Sequence, residues 1–109
     1  MLEFSKENLN ICQNLIDTQT VLLEFYANWC GTCRSVSRML HHVDSLNVLK
    51  IIRIDIDQHK DFMKKYEILG VPVILLLNQG KEVIRLGGSI NFEEFKNWIH
   101  QVEEFKELS

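Results

Sequence analysis

Proline, glycine and cysteine are all scarce here, with one, five and three of them among 109 residues. So little proline and glycine excludes collagen-like, low-complexity and linker-rich organisation. Cys12, Cys30 and Cys33 are too few and too unevenly placed for the disulfide framework of a small secreted scaffold, and a reducing compartment is expected. No Lys/Arg cluster or stripe stands out, and 12 basic against 15 acidic residues give a net charge of -3. That balance speaks against nucleic acid or an anionic membrane surface as partner. The longest apolar stretch, Val71 to Leu77, is far too short to span a bilayer. The N-terminus has no basic region followed by an apolar run of signal-peptide length, so a cytoplasmic, soluble protein is expected.

What is present is core-forming sequence. Hydrophobic residues make up 46% and charged residues 25%, which excludes disorder. With no repeat, linker or composition break, residues 1–109 read as a single domain. A chain of this size buries roughly two thirds of its unfolded surface, enough to fold without staples or a structural metal.

Hydrophobic periodicity gives the elements. Leu2 to Phe4 reads as a short strand, and Ser5 is placed to cap a helix with Leu9, Cys12, Leu15 and Ile16 on one face. Val21 to Tyr26 is a nearly continuous apolar run, the pattern of a strand covered on both sides, interrupted only by Glu24. After Asn28-Trp29-Cys30-Gly31-Thr32-Cys33 the period turns helical, with Cys33, Val36, Leu40, Val43 and Leu46 on one stripe and Arg34, Ser37, Arg38 and His41 mostly outside it. Leu49 to Ile56 reads as a strand, followed by a short helix with Phe62, Met63 and Tyr66 inward. Val73 to Leu77 and Glu82 to Leu86 flank the turn residues Asn78-Gln79-Gly80 as an antiparallel hairpin. Asn91 and Glu94 have capping-box spacing before a last helix with Phe92, Phe95, Trp98, Ile99, Val102 and Phe105 on one side. The order βαβαβαββα predicts an α/β fold with a central mixed sheet and helices on both faces.

The chemistry is concentrated in two thiols separated by two residues at a helix start. Unsatisfied N–H groups and the positive end of the helix dipole favour a thiolate at Cys30, while Cys33, one turn in and on the inward stripe, is the shielded partner. A thiolate attacks a disulfide, and a second thiol within reach displaces the substrate from the mixed disulfide, so the pair reads as nucleophile and resolver. The competing reading of a CxxC is half of a zinc site. Zinc needs two more ligands, yet Cys12 is alone and the histidines at 41, 42, 59 and 100 contain no pair at helical i,i+4 spacing.

The segment Val21-Leu22-Leu23-Glu24-Phe25-Tyr26-Ala27-Asn28-Trp29-Cys30-Gly31-Thr32-Cys33-Arg34 resembles the active-site segment of thioredoxins, and Gly70-Val71-Pro72 resembles their cis-proline loop. The resemblance covers nearly the whole chain, including Arg53-Ile54-Asp55-Ile56-Asp57-Gln58, the Gly80 turn and the Gly87-Gly88 bend. It implies the thioredoxin fold and a redox-active Cys30-Cys33 disulfide, with Cys30 as nucleophile and Cys33 as resolving cysteine and no bound cofactor. Trp29 matches the tryptophan beside the nucleophile, although a large half-buried side chain is the plainer reading. Gly31 and Thr32 complete the active-site turn. Pro72 matches the residue whose cis peptide packs against the disulfide, its alternative being a strand-start proline. Val71, whose backbone pairs with substrate in the family, forms the implied substrate groove with Trp29 and Gly87.

Departures from the family pattern are informative. Glu24 stands where the family usually has aspartate, beneath the resolving cysteine, where it is thought to take and return that thiol's proton. Arg53 matches the lysine neighbour of that carboxylate. A lone carboxylate in an apolar strand needs a partner or a function, so Glu24 is either a proton carrier for Cys33 or half of a structural pair with Arg53. Thr32 replaces the usual proline, which bears on the redox potential. Cys12 reads as a small buried hydrophobe, Asp55 and Asp57 as solvated strand-end and cap residues, and the histidines as surface residues.

The resulting expectation is a monomeric, cytoplasmic thiol-disulfide oxidoreductase that reduces protein disulfides. The resemblance also implies re-reduction by an NADPH-dependent, flavin-containing thioredoxin reductase and a role in electron transport and cell redox homeostasis. Two alternatives share the fold: a disulfide oxidase or isomerase, and a non-catalytic adaptor using the Trp29, Val71 and Gly87 surface.

Overall fold

The computed structural model describes residues 1–106. Its elements are β1 (Leu2–Glu3), α1 (Leu9–Thr18), β2 (Thr20–Tyr26), α2 (Gly31–Ser45), β3 (Lys50–Asp55), α3 (Lys60–Lys65), β4 (Val73–Asn78), β5 (Lys81–Gly87) and α4 (Phe92–Ile99), followed by a 3-10 turn at Glu103–Phe105. This is the order that the periodicity predicts. The five strands form one sheet in the order β1-β3-β2-β4-β5. β1 and β2 flank β3 in parallel, while β4 runs antiparallel to β2 and β5 antiparallel to β4.

Strand alternation divides the core into two layers. Val21, Leu23 and Phe25 of β2, with Ile52, Ile54, Leu75 and Leu77, face the side covered by Cys12 and Ile16 of α1 and by Phe62 and Met63 of α3. Leu22, Ile51, Ile74 and Leu76 face the other side, against Val36, Leu40 and Val43 of α2 and Phe95, Trp98 and Ile99 of α4. The apolar run of β2 thus follows from its position, central in the sheet and covered on both faces. Gln79 and Gly80, with φ of 50° and 82°, form the two-residue link between β4 and β5, where left-handed backbone matches the twist of the paired strands.

Several local expectations change. α1 begins at Leu9 with Asn8 before it, because Ser5 and Asn8 bond each other instead: Ser5 N donates to Asn8 Oδ1 (2.9 Å) and Asn8 N to Ser5 Oγ (3.3 Å). Leu9 and Leu46, both assigned inward, are exposed, Leu9 as the first residue of α1 and Leu46 as the C-cap of α2. α4 stops at Ile99, so Phe105 reaches the core from the 3-10 turn and not from a longer helix. His59 and His100 are half-buried, and His59 Nε2 lies 3.1 Å from Phe4 O.

The capping box at Asn91 is formed, with Glu94 N donating to Asn91 Oδ1 (2.8 Å) and Asn91 N to Glu94 Oε1 (3.2 Å). It fixes the start of the helix that brings Phe95, Trp98 and Ile99 onto the sheet. Asn91→Ala is therefore expected to lower stability by about 1 kcal/mol, read as a lower urea midpoint with an unchanged m-value.

Candidate active site

The turn after β2 ends in a helix whose N-cap is Cys30. Cys30 has extended backbone, and its Sγ accepts the N–H of Cys33 at 3.2 Å, so the sulfur occupies the place that a capping oxygen takes in other helices. Cys30 and Cys33 are joined as a disulfide with Cα atoms 5.3 Å apart. Thr32 Oγ1 lies 3.4 Å from Cys30 Sγ, and the Val71 carbonyl 3.9 Å from it. The Val71-Pro72 peptide is cis. Leu69, Val71, Pro72, Val73, Gly87 and Gly88 line a shallow groove here, with Leu69 98% exposed. Gly87 pairs with Val73, and a Cβ on it would lie 3.5 Å from Val73 Cγ2 and 3.7 Å from the Pro72 carbonyl. Gly31 opens α2 with nothing within 4 Å of where a Cβ would stand, so packing does not demand glycine there.

Trp29 is 69% exposed, more than the half-buried side chain expected of it. Its indole Nε1 donates to Asp57 Oδ2 at 2.9 Å. Asp55, read from sequence as solvated, is buried: Oδ2 accepts from Asn28 Nδ2 (3.2 Å) and Oδ1 from Asp57 N (2.9 Å). The end of β3 thereby holds both residues that precede Cys30. Sequence reasoning missed this because polar residues at a strand end look solvated until the neighbouring strand's loop is placed over them.

A second cluster centres on Glu24 of β2. Glu24 has no exposed surface, and β3 places Arg53 beside it in register. Arg53 Nε donates to Glu24 Oε1 at 3.1 Å, and Ser37 of α2 donates its hydroxyl to Glu24 Oε2. Arg53 Nη1 reaches Glu3 Oε1 on β1 at 3.1 Å, Tyr26 donates its phenol to Glu3 Oε2, and the guanidinium lies 3.9 Å from the Tyr26 ring centre. Ser37, Glu3 and Tyr26 were not among the residues singled out from sequence. The one available signal was for Ser37, which stands one helical turn after Cys33.

Burial pushes the Glu24 carboxyl above its ordinary range, opposed by the Ser37 hydrogen bond and the Arg53 charge, with a smaller upward push from Glu3. Burial and the bond to Glu3 also push the Tyr26 phenol up, which keeps it a donor. Cys12 is buried and free, its Sγ 3.4 Å from Asn8 Oδ1, and burial pushes its thiol up. Among the described residues no group of three or more His, Cys, Asp or Glu is arranged to hold a metal ion, and no helix is long and apolar enough to cross a membrane.

A family model described as Thioredoxin matches residues 2–101. The chain belongs to the thioredoxin family. A thioredoxin of Chlamydia caviae is 33% identical over 98 residues, which are 89% of this chain and 93% of that protein. A bifunctional thioredoxin reductase/thioredoxin of Mycobacterium leprae is 29% identical over 77 residues, 69% of this chain and 17% of that protein. The X-ray structure of Fasciola hepatica thioredoxin superposes with a TM-score of 0.78 at 23% identity, covering 93% of this chain and 98% of that one, and shares the fold. As a member of that family the chain is a thiol-disulfide oxidoreductase, a protein-disulfide reductase by class. Its redox group is the disulfide of its own chain, without a bound cofactor.

The raised Glu24 carboxyl has a consequence for stability. The folded protein holds this proton to higher pH than the unfolded chain, whose carboxyl titrates near about 4.3. Glu24's contribution is therefore fully present below that value and is lost as pH rises through the folded-state value. In Glu24→Gln nothing titrates, so urea unfolding across a pH series is expected to move in the variant's favour as pH rises and then level off. A gap between the two proteins that stayed constant with pH would contradict the raised carboxyl.

Proposed function

We propose that this protein reduces exposed disulfides of proteins as a cytoplasmic, single-domain monomer, with Cys30 as nucleophile and Cys33 as resolver. The observation that carries the assignment is Cys30 Sγ at the N-cap of α2, accepting from Cys33 N and facing the Val71 carbonyl. In the reduced protein the same N–H and the helix dipole stabilise a Cys30 thiolate. The thiolate attacks one substrate sulfur; the substrate S–S bond breaks, and its electron pair leaves on the other sulfur, which takes a proton from solvent. Cys33 then gives its proton to Glu24 and attacks Cys30 Sγ, closing the protein disulfide and releasing the second substrate thiolate. Two electrons pass to the substrate, and the protein is oxidised.

The backbone of Val71, in one groove with the exposed Leu69 and the open surface at Gly87, supports strand-like docking of an extended substrate segment, while Trp29 is exposed but does not line that groove. Re-reduction falls to an NADPH-dependent, flavin-containing thioredoxin reductase, a reading supported by the Mycobacterium leprae relative, whose name joins a reductase to a thioredoxin. Exposed Lys81, Glu82 and Arg85 on the outer strand β5 support the monomer, since charged edge residues discourage strand pairing between copies. Glu24 is proposed as the proton carrier because it lies on the sheet face covered by α2, bonded to Ser37 one turn beyond Cys33.

Cys33→Ser is expected to accumulate mixed disulfides through Cys30 when exposed to a disulfide-bonded protein, detected as covalent adducts by mass spectrometry. Adducts with Cys30→Ser and none with Cys33→Ser would reverse the assignment. Thr32 adds a second expectation. Its hydroxyl beside Cys30 Sγ is a donor for the thiolate, which only the reduced protein carries, so it stabilises the reduced form and makes the pair more oxidising. One hydrogen bond to a charged group contributes about 1.5 to 3 kcal/mol, which corresponds to tens of millivolts for this couple. Thr32→Pro is expected to lower the potential by that order, measured by equilibration with glutathione buffers; a level or raised potential would reject the donor role.

A further inference from the structure

The buried carboxylate of Glu24 has two described hydrogen-bond partners, and they differ in kind. Arg53 holds Oε1 at 3.1 Å, but a guanidinium does not release protons in proteins. Ser37 holds Oε2 through a hydroxyl, which both donates and accepts. The Ser37 oxygen also accepts from Arg53 Nη2 at 3.2 Å, which orients its hydrogen toward Glu24. Ser37 is half-buried where Glu24 is fully buried, so the hydroxyl partner of the carboxylate belongs to a residue that itself reaches solvent. It is carried by α2, one turn after Cys33. The charged and titratable groups around this point are Arg53 on β3, Glu3 on β1 and Tyr26 on β2, the latter two bonded to one another, while β4 sets apolar Ile74 opposite Glu24.

We infer that Ser37 is a positioning residue of the resolving step: its hydroxyl aims the Glu24 carboxylate on the α2 side and is the port through which Glu24 exchanges its proton with water. This rests on the proposed role of Glu24 as acceptor of the Cys33 proton. The proton leaves Cys33 Sγ for Glu24 as the Cys33 sulfur attacks Cys30. Glu24 is then reset by passing a proton to Ser37 Oγ while the hydroxyl gives its own to water. No electrons move in the reset, and its co-reactant is solvent. During re-reduction by a thiol reductant the same path runs backwards. Sequence position alone hides the role, because Ser37 lies outside the apolar stripe of its helix and reads as a surface serine.

The test uses the full chain carrying a mixed disulfide between Cys30 and a chromogenic aromatic thiol, with release of that thiol by Cys33 followed in stopped flow. Ser37→Ala is expected to slow release about tenfold near neutral pH and to move the Glu24 midpoint, read by carboxyl carbon NMR, up by about one unit. Ser37→Thr, which keeps the hydroxyl, is expected to restore both. Glu24→Gln combined with Ser37→Ala is expected to be no slower than Glu24→Gln alone, because the hydroxyl acts through the carboxylate. Alanine suits a helix interior, and urea unfolding checks that Ser37→Ala retains the fold. If Glu24→Gln slowed release while Ser37→Ala changed neither rate nor midpoint, the Ser37 inference would be overturned with the Glu24 role intact. If Glu24→Gln left release unchanged across the pH range, the Glu24 role would fall and the Ser37 inference with it.

Discussion

A carboxylate in the middle of the central strand is the constraint around which the rest of this molecule is arranged. Left unpaired, a buried charge costs several kcal/mol, and Glu24 has no exposed surface. Its two partners come from different elements, and a third element braces one of them. Arg53 is its register neighbour on β3, Glu3 is the register neighbour of Arg53 on β1, and Ser37 reaches down from α2. A one-residue slip of β3 would turn Arg53 to the opposite face and place an isoleucine beside the carboxylate. The network thus opposes misregistration in the parallel half of the sheet.

The disulfide and the Glu24 carboxylate are joined by a single helix. α2 begins with the disulfide and carries Ser37 one turn past Cys33, so the same helix that is capped by the Cys30 sulfur reaches Glu24 through the Ser37 side chain. The segment before the helix is equally constrained. Asn28 is held by buried Asp55, and Trp29, though largely exposed, by Asp57, leaving the approach to Cys30 anchored to the end of β3. Opposite, the antiparallel pair β4 and β5 places Val71, Pro72 and Gly87 along the groove beside the disulfide.

Where sequence reading and structure part, the reason is usually competition between local options. Ser5 is a good cap in isolation, yet a reciprocal bond with Asn8 satisfies both residues and moves the start of α1 to Leu9. Leu9 and Leu46 keep the helical period but stand at helix termini, where both are exposed, so period alone places them inside wrongly. The stripe of the last helix continues through Phe105, which is buried as expected, but by a 3-10 turn. Asp55 shows the converse error: a residue type read as solvated is buried once its donors come from another loop.

By itself the sequence determined whatever depends on neighbours along the chain: the strand and helix order, the hairpin at Gly80, the capping box at Asn91 and a CxxC at a helix start. Each is set by side-chain period, turn chemistry or capping within a few residues, and each stands in the structure. The odd carboxylate at position 24 and its arginine partner were also legible, because a charge in an apolar run signals itself. Only the tertiary structure decided what surrounds that pair. Glu3, Tyr26, Ser37 and Arg53 are scattered over fifty residues and meet because strands β1, β3 and β2 pair in one register and α2 packs across them. Long-range register is set by burial of whole faces, which no local pattern of residues encodes.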